Sequence, residues 1–573
     1  MRSNVPTAAF NILRSRISKV CVAIIGSTSA EMIEKASSVV KESPFLEFRL
    51  DYLEKPLLAL PKLKQFLTDN TAATAIATCR RAANGGKFTG NVAAEMEVLT
   101  KAAASGFHVV DLELESAESL KKADLQHLRD TGVGLIISHH DFNATKDLDA
   151  TFARIERFAP DFVKIVPTAK SLFDNVTLIR FLERMNDHTN IIGICMGDAG
   201  IISRVLGVRA GSAFTFAAAT SGEETGPGQI AARTLLETYR IDHVDAATKV
   251  YGVAGNPIRS SLSPIMMNTA FRRETVNAVY LALQTTRLSD LLKLVYEIPV
   301  QGVSITMPLK EEILSHLEQT DPLSAKIGAV NTIRLLDGKL YGFNTDVAGI
   351  VIPLEKRLSL RGAKVLILGA GGAARAAVFG LRDRGAEVFI LNRTPETAQK
   401  LARQSGSRTI KKDALAKTSF DVIVNATPVG MAGIKAAPLL EAKDLNTRLV
   451  FDLVYNPLET PLIRMARQAS IPIITGVEMF VQQGARQFEI FTGKPAPEEE
   501  MFRVVLHALR QQNEAAAAEN PEPAPKAAKS SSAKPVAAKA APAKHAPAKP
   551  VAKSVANPAA AKKSARPTGG KKK

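Results

Sequence analysis

Residues 364–394, KVLILGAGGAARAAVFGLRDRGAEVFILNRT, decide how the second half of the chain folds. An apolar run from Val365 to Leu368 meets Gly369-Ala370-Gly371-Gly372-Ala373-Ala374. A helix-like segment of small residues follows, and a second apolar run spans Val388 to Leu391. Strand, glycine turn, helix and strand, in that order, form the context in which a G-x-G-x-x-G/A pattern signals a dinucleotide site. Gly369 permits the tight turn and Gly371 lets backbone amides approach a pyrophosphate. Ala374 is small enough to pack the helix on the sheet, and the helix N-terminus carries the anion. The competing reading is a bare packing turn. At the end of the second strand stand Asn392-Arg393-Thr394, with no carboxylate to hydrogen-bond a ribose 2′-hydroxyl. A guanidinium and a hydroxyl there suit a 2′-phosphate, so the cofactor reads as NADP(H); a solvated arginine at a strand end is the alternative.

Upstream of this turn lie YGVAGNPIRSSLSP (251–264), VSITMPLK (303–310), AVNT (329–332) and YGFNTDVAG (341–349). Each loop taken singly reads as a cap or a turn. Together they supply hydroxyls (Ser261, Ser263, Thr306), an amide (Asn331), an ammonium (Lys310) and a carboxylate (Asp346). That set suits a polyhydroxylated acid better than an apolar ligand.

Further upstream the pattern changes to a regular alternation. Strand-like runs fall at 19–26, 45–50, 73–78, 107–112, 132–138, 161–166, 190–196 and 212–217, and helix-like segments such as 93–105 and 174–185 separate most of them. This alternation predicts an α/β fold that opens with a (β/α)₈ barrel, whose chemistry belongs at the C-terminal ends of its strands. Those ends are polar. Glu47, Arg49 and Asp51 alternate along the second strand and so share one side. Arg80 follows the third strand ahead of Gly85-Gly86, and the fifth ends in Ser138-His139-His140-Asp141-Phe142. Arg204 follows the seventh strand, and Thr225-Gly226-Pro227-Gly228-Gln229 the eighth. Lys164 sits between Val163 and Ile165 in the sixth. Burying an ammonium lowers its pKa, and a neutral amine is what a carbonyl substrate needs to form a Schiff base. The competing reading has Lys164 snorkelling or paired with Glu47. Histidine, arginines and carboxylates at neighbouring strand ends favour catalysis.

The charge of the chain is concentrated at one end. From Asn520 onward, 13 Lys/Arg face one acid (Glu522), a net +12, which leaves +6 of the total +18 for the remainder. This Ala/Pro/Lys tail has almost no large apolar residues and is expected to be disordered, solvated and attractive to polyanions without sequence preference. No apolar run approaches a membrane span of about 18 residues, which excludes a helical membrane protein. Cys21, Cys79 and Cys195 are far apart in strand-like runs and read as core residues of a reducing compartment, neither disulfides nor metal ligands. Metal is not expected. The segment up to about Lys19, with Arg2, Arg14 and Arg16 and no acid, is short and weakly amphipathic. It reads as a strand extension in a cytoplasmic protein in preference to an organelle transit segment.

LEFRLDYL (46–53), Arg80 with Gly85-Gly86, SHHDF (138–142), FVKIV (162–166), MGDAGIISR (196–204) and GPGQ (226–229) together resemble type I 3-dehydroquinate dehydratase over about residues 20–240. The resemblance implies that Lys164 forms a Schiff base with the substrate ketone and that His140 moves protons at the α-carbon and on the departing hydroxide. It implies that Glu47, Arg49, Arg80, Arg204, Thr225 and Gln229 bind or orient the substrate. His139 should face the other side of its strand and be structural. Asn84 stands where the family often has Glu, which puts an ion pair with the arginines in doubt, and Thr225 stands where Ser is common.

SSLSP, TMPLK, GAVNT, NTD, GAGGAA, NRT, NATPVGM (425–431), DLVYNPLETPL (452–462) and Gln483 are similar, in order, to shikimate dehydrogenase over about residues 249–506. This resemblance implies a catalytic pair, Lys310 and Asp346, with Ser261, Ser263, Thr306, Asn331, Tyr455 and Gln483 around the substrate. Gly369, Ala370, Gly371, Gly372, Ala373, Asn392, Arg393, Thr394, Thr427 and Gly476 would hold NADP(H), with Thr427 to Met431 along the nicotinamide. The expected divisions are a barrel (19–243), a substrate lobe (249–350), a Rossmann-type cofactor lobe (351–477), helices returning to the substrate lobe (478–512) and the tail (513–573).

The function implied is bifunctional. 3-Dehydroquinate is dehydrated to 3-dehydroshikimate, which NADPH reduces to shikimate on the way to aromatic amino acids. Two rivals are a degradative quinate/shikimate dehydrogenase, disfavoured by Arg393, and a basic-tailed nucleic-acid-binding protein with relic domains. Intact Lys164, His140, Lys310 and Asp346 disfavour the second.

Overall fold

The computed structural model describes residues 16–185, 190–434 and 436–519; residues 1–15 and the tail from 520 onward, on which the leader and polyanion readings fall, lie outside them. Eight parallel strands come first: β1 (Val20–Ile24), β2 (Phe45–Arg49), β3 (Thr74–Thr78), β4 (Val109–Glu113), β5 (Gly134–His140), β6 (Phe162–Val166), β7 (Ile191–Gly193) and β8 (Thr215–Ala218). Each pairs with its sequence neighbour, and β1 also pairs with β8. At the remaining seam, between β7 and β8, the Ala213 N–H donates to the Ile191 carbonyl at 2.7 Å.

Side chains at every second position of a strand face the same way, so the barrel interior is built in layers. Phe45, Ile76, Val109, Ile136, Phe162, Ile192 and Phe214 form an apolar plug with Cys21. Phe214 meets Phe45 edge-on at 4.8 Å and Phe162 at 5.7 Å between centroids. Two residues further along the strands the same faces present Glu47, Thr78, Asp111, Ser138 and Lys164, all buried. Another two residues on come Arg49, Arg80, Glu113 and His140. The dry plug below and the charged layers above follow from one alternation read along five strands.

The chain then enters a six-stranded mixed sheet made of β9 (Lys249–Gly255), β10 (Ala278–Gln284), β11 (Val300–Ile305), β12 (Gln319–Thr320), β13 (Thr332–Leu336) and β14 (Lys339–Phe343). Their order is β10-β9-β11-β13-β14-β12. The helix Asp346–Glu355 crosses to a second, all-parallel sheet: β15 (Lys364–Leu368), β16 (Glu387–Leu391), β17 (Arg408–Thr409), β18 (Val422–Asn425), β19 (Val450–Asp452) and β20 (Ile473–Ile474). Its order, β17-β16-β15-β18-β19-β20, reverses direction at β15, the switch point of a doubly wound fold where a dinucleotide belongs. The helix Gly476–Thr492 returns to the first sheet, burying Val477, Phe480, Val481 and Phe488 against Met266, Met267 and Phe271.

The connection between barrel and dehydrogenase is held from several sides. Lys19 Nζ donates to the carbonyls of Asp242 (3.2 Å) and Val244 (2.6 Å), and Arg209 Nε to that of Thr248 (2.9 Å). Arg180 reaches Glu297 across the same junction. The final helix runs from Glu498 to Glu519, past the expected start of the tail at 513. The alanines after Glu514 favour helix and prolong it.

Candidate active sites

A cavity of about 130 Å³ opens at the C-terminal ends of the barrel strands, with Lys164 and His140 in its wall. Lys164 Nζ lies 2.7 Å from Asp111 Oδ2, 3.8 Å from Glu47 Oε1 and 3.9 Å from the centroid of the Phe216 ring. The ion pair that sequence reading offered as an alternative therefore exists, but its principal partner is Asp111, with Glu47 at longer range. Glu47 in turn accepts from Thr78 Oγ1 at 2.7 Å. Burial pushes the Asp111 carboxyl up, but Lys164 and Arg80 outweigh it and hold the group at about 2.

His140 Nδ1 and Arg80 Nε approach Glu113 Oε1 at 2.8 and 2.7 Å. These contacts fall within ion-pair distance but outside hydrogen-bond angles, so among the described residues both nitrogens remain buried without a hydrogen-bond partner. Burial, then Arg80 and Lys164, lower the His140 pKa well below its ordinary value, leaving a neutral imidazole at neutral pH. Burial raises the Glu113 carboxyl to about 7 against the pull of Arg80. Arg204 is fully buried and donates to the carbonyls of Gly228 (2.7 Å) and Phe216 (2.9 Å). It has no carboxylate in ion-pair range among the described residues, and burial lowers its pKa to about 10. Above it the Thr225 N–H donates to Gln229 Oε1 at 2.6 Å, and the Thr225 hydroxyl at 3.1 Å, so Thr and Gln brace one loop.

Other side chains are used structurally. Arg49 makes a bidentate pair with Asp51 at 2.9 and 2.8 Å, which fixes the guanidinium in the cavity wall. His139 faces outward, with Nδ1 2.8 Å from Glu115 Oε1. Asn84 donates to Glu115 Oε2 at 3.2 Å and contacts no arginine, while Arg81 pairs with Glu95 at 3.1 Å. Phe142 stacks over His140 at 6.3 Å, and its ring passes so close to Gly85 that a Cβ there would sit 2.3 Å from Cζ. Sequence reading missed Asp111 and Glu113. Their signal was the polar i, i+2 alternation in an otherwise apolar strand, the same signal that singled out Glu47 and Arg49.

In the dehydrogenase half, Lys310 Nζ lies 2.6 Å from Asp346 Oδ2. Asp346 opens the helix to the second sheet, and its Oδ1 accepts from Asn331 Nδ2 at 2.8 Å. The other Asn331 N–H goes to Thr345 Oγ1 at 2.9 Å, and Asn331 Oδ1 accepts from the Thr345 N–H at 2.8 Å. Both amide hydrogens of Asn331 are thus used in holding Asp346 and its neighbour. Ser261 Oγ accepts from the Ser263 N–H at 3.2 Å, and the Thr306 methyl packs where a Cβ on Gly255 would fall. Gln483 donates one N–H to the Phe480 carbonyl at 2.8 Å, and Tyr455 stacks on Phe480 at 4.7 Å. Arg375, just past the glycine turn, donates to the Ile327 carbonyl at 2.7 Å and ties the two sheets together.

The glycine turn fits a dinucleotide. Gly369 has φ +109°, and a Cβ on it would meet Thr427 Cγ2 at 2.9 Å, whereas nothing lies within 4 Å of a Cβ on Gly371. A Cβ on Gly372 would stand 4.0 Å from Lys310 Cδ, so the turn reaches the Lys310–Asp346 pair. Gly371 caps the helix Gly372–Asp383 with no side chain on its N-terminal amides, and the Thr394 hydroxyl likewise leaves the amides of Pro395–Ser405 free. Arg393 is exposed and has no carboxylate partner among the described residues. Thr427 holds its own loop, with Oγ1 2.7 Å from Asn425 Oδ1, and Gly476 packs on the Val454–Tyr455 backbone, where a Cβ would come within 2.4 Å. Among the described residues no group of three His, Cys, Asp or Glu is placed to hold a metal ion, and no helix is long and apolar enough to cross a membrane.

A charged barrel mouth joined to a two-lobed, glycine-turn dehydrogenase defines the class: two enzyme units in tandem on one polypeptide. Family models agree segment by segment. Residues 20–246 match type I 3-dehydroquinase and 253–333 the shikimate dehydrogenase substrate binding domain. Residues 354–457 match shikimate / quinate 5-dehydrogenase and 476–506 the shikimate 5'-dehydrogenase C-terminal domain. A bifunctional 3-dehydroquinate dehydratase/shikimate dehydrogenase, chloroplastic, of Arabidopsis thaliana is 33% identical over 517 residues, covering 85% of this chain and 84% of the plant protein. A shikimate dehydrogenase (NADP(+)) of Methanopyrus kandleri is 40% identical over 284 residues, 47% of this chain and 98% of its own. The crystal structure of Thermus thermophilus shikimate 5-dehydrogenase with NADP(H) and shikimate is 37% identical, with TM-score 0.43, covering 46% of this chain and all (100%) of that one. The chain belongs to the family of bifunctional 3-dehydroquinate dehydratase/shikimate dehydrogenases.

Proposed function

We propose that the barrel dehydrates 3-dehydroquinate through Lys164 and that the dehydrogenase half reduces the resulting 3-dehydroshikimate to shikimate with NADPH. One observation carries the barrel assignment: beside Lys164, the buried His140 Nδ1 and Arg80 Nε meet Glu113 Oε1 at ion-pair distance but, among the described residues, in no hydrogen-bond geometry. Buried polar atoms are normally paired, and a polyhydroxylated acid in the cavity would pair them. Arg204, buried without an acid, is the natural counter-ion for the substrate carboxylate. Lys164 passes its ammonium proton to neutral His140 and adds to the ketone, and that proton departs with the carbonyl oxygen as water when the iminium forms. His140, neutral by virtue of its burial, takes the α-proton and returns a proton to the departing hydroxyl. Glu47, Arg49, Thr225 and Gln229 shape the pocket.

In the second site Lys310 and Asp346 stand beside the reacting carbonyl and deliver its proton. Ser261, Ser263, Thr306 and Gln483 hold the substrate, with Tyr455 at the edge of the cleft. NADPH supplies the hydride. Gly369 to Ala373 would hold its pyrophosphate and Asn392 to Thr394 its 2′-phosphate, with Thr427 and Gly476 shaping the nicotinamide side. The domain divisions fall at about 243–249, 350 and 477. Incubating the purified chain with 3-dehydroquinate and NADPH tests the whole reading. Shikimate is the expected product, and accumulation of 3-dehydroshikimate alone, or no turnover, overturns one half or both.

Three buried free thiols, Cys21, Cys79 and Cys195, suit a reducing compartment, and we place the protein in the cytoplasm. The +12 tail supplies nonspecific contact with polyanions. Truncation after Glu519 is expected to leave both activities unchanged and to remove most salt-sensitive DNA binding in a mobility-shift assay. Undiminished binding by the truncated chain would count against the tail.

A further inference from the structure

The Lys310–Asp346 pair rests on a chain of buried polar groups that extends well beyond it. Gln487 lies four residues after Gln483 on the returning helix and is 2% exposed. Its Oε1 accepts from Ser304 Oγ at 2.7 Å, and Ser304 is itself hydrogen-bonded to the Tyr280 hydroxyl. Its Nε2 donates to Thr332 Oγ1 at 3.0 Å and to the Asn331 carbonyl at 3.3 Å. Thr332 Oγ1 then donates to Asn331 Oδ1 at 2.8 Å. Because that oxygen is held, the Asn331 amide presents Nδ2 to Asp346 Oδ1 at 2.8 Å. The other carboxylate oxygen, Oδ2, is the one that meets Lys310.

We infer that Gln487 is a positioning residue for the reduction: it fixes the Asn331 amide and so orients the Asp346 carboxylate toward Lys310. Three properties support the role. The side chain bridges β11, β13 and the returning helix through Ser304 and Thr332, which face each other in the β11–β13 ladder. A glutamine accepts on one side and donates on the other, as the link from Ser304 to Thr332 requires. Its burial means that removing it takes a partner from Ser304 Oγ and Thr332 Oγ1 with no water to replace it, while the Asn331 carbonyl keeps the Ile305 N–H at 2.7 Å, so the side-chain network must rearrange. An amide does not pass protons along such a chain, which assigns it orientation and not proton supply.

The inference rests on the reading of Lys310 and Asp346 as the reducing site, and the test separates the two. Gln487→Met keeps volume and length but has no donor or strong acceptor. In the full chain it is expected to lower kcat for 3-dehydroshikimate reduction roughly tenfold to a hundredfold, the scale of a small misplacement of reacting groups. The KM for NADPH should stay within about twofold, which reports that the dehydrogenase half is folded, and dehydratase turnover by the same molecules should be unchanged. The pH profile of kcat should shift, because the carboxylate orientation it depends on has changed. Wild-type kcat in Gln487→Met overturns the inference, as does a parallel rise in the KM for NADPH. If Gln487→Met does not yield folded protein, Ser304→Ala serves in its place. It leaves Gln487 Oε1 unpaired and is expected to lower kcat about threefold to tenfold; no change there overturns the inference. Lys310→Ala run alongside tests the underlying reading. If it reduces 3-dehydroshikimate normally, the site assignment itself fails; if it is inactive while Gln487→Met is normal, only the role of Gln487 fails.

Discussion

The two sites solve the problem of holding a reactive lysine in opposite ways. The barrel encloses Lys164 at 4% side-chain exposure, among buried groups whose pKa values are displaced in both directions: His140 and Asp111 down, Glu113 up. The dehydrogenase leaves Lys310 at 20% exposure beside a carboxylate fixed by a neutral hydrogen-bond network. On the mechanism proposed for Lys164, a covalent intermediate would let the barrel close around one small molecule and tune its groups by burial. A dissociable cofactor requires an open cleft, so geometry there is set by amides and hydroxyls and not by desolvation. The lesson is that access, as much as chemistry, decides which physical lever a site uses.

The contrast is tested most severely by removing one reactive group from each site. Lys164→Ala should reduce dehydratase turnover to background while leaving reduction of added 3-dehydroshikimate near normal. Borohydride with 3-dehydroquinate should add substrate mass to Lys164 of the unmodified chain, read by peptide mass spectrometry, and spare the variant. Labelling of another lysine would break the comparison. Asp346→Asn should cost the reduction about 10²–10⁴-fold, the range for a positioned proton-transfer group, with dehydration untouched. Loss of both activities would show that the halves are not independent.

A smaller effect is expected at the cofactor. Arg393→Ala should raise the KM for NADPH roughly tenfold to a hundredfold, equivalent to a charge-assisted contact of about 1.5–3 kcal/mol, and leave that for NADH nearly unchanged. Equal losses would assign Arg393 to the fold. The smallest effect is a displacement in pH. A base is disabled by protonation, so dehydratase kcat/KM falls as pH falls through the His140 pKa, which burial and Arg80 hold well below 6.5. The rate at pH 6 should therefore remain close to its plateau. Arg80→Gln removes a cation that disfavours imidazolium and should move the acid limb to higher pH; a limb that stays in place would show that Arg80 does not act on His140 electrostatically.

Most of the architecture was legible in the sequence because both folds write themselves in local periodicities. Eight apolar runs separated by helical segments gave the barrel, and strand, glycine turn and strand gave the cofactor lobe. Lys164 and Lys310 were legible because an ammonium inside an apolar run, or beside a turn of hydroxyls, is out of place without a task. Asp111 and Glu113 share the polar alternation that singled out Glu47 and Arg49, but their partners Lys164, Arg80 and His140 lie on other strands, a relation of register and not of sequence. Gln487 was invisible for the same reason: its partners are 155 and 183 residues away. The helix past Asn513 was lost to composition, since the alanines that extend it also open the low-complexity tail.

The clasped connection between the halves bears on how they come apart. Lys19, just ahead of the first strand of the barrel, closes on the carbonyls of Asp242 and Val244, and Arg209 on that of Thr248, so the backbone a protease must draw out and straighten is bonded where it leaves the barrel and where it enters the dehydrogenase. A nick there would leave each severed end tied by its own hydrogen bonds, with the exposed Arg180–Glu297 pair adding at most about 1 kcal/mol across the junction. The short polar segment that looks like a seam in the sequence is, in the folded chain, a weld.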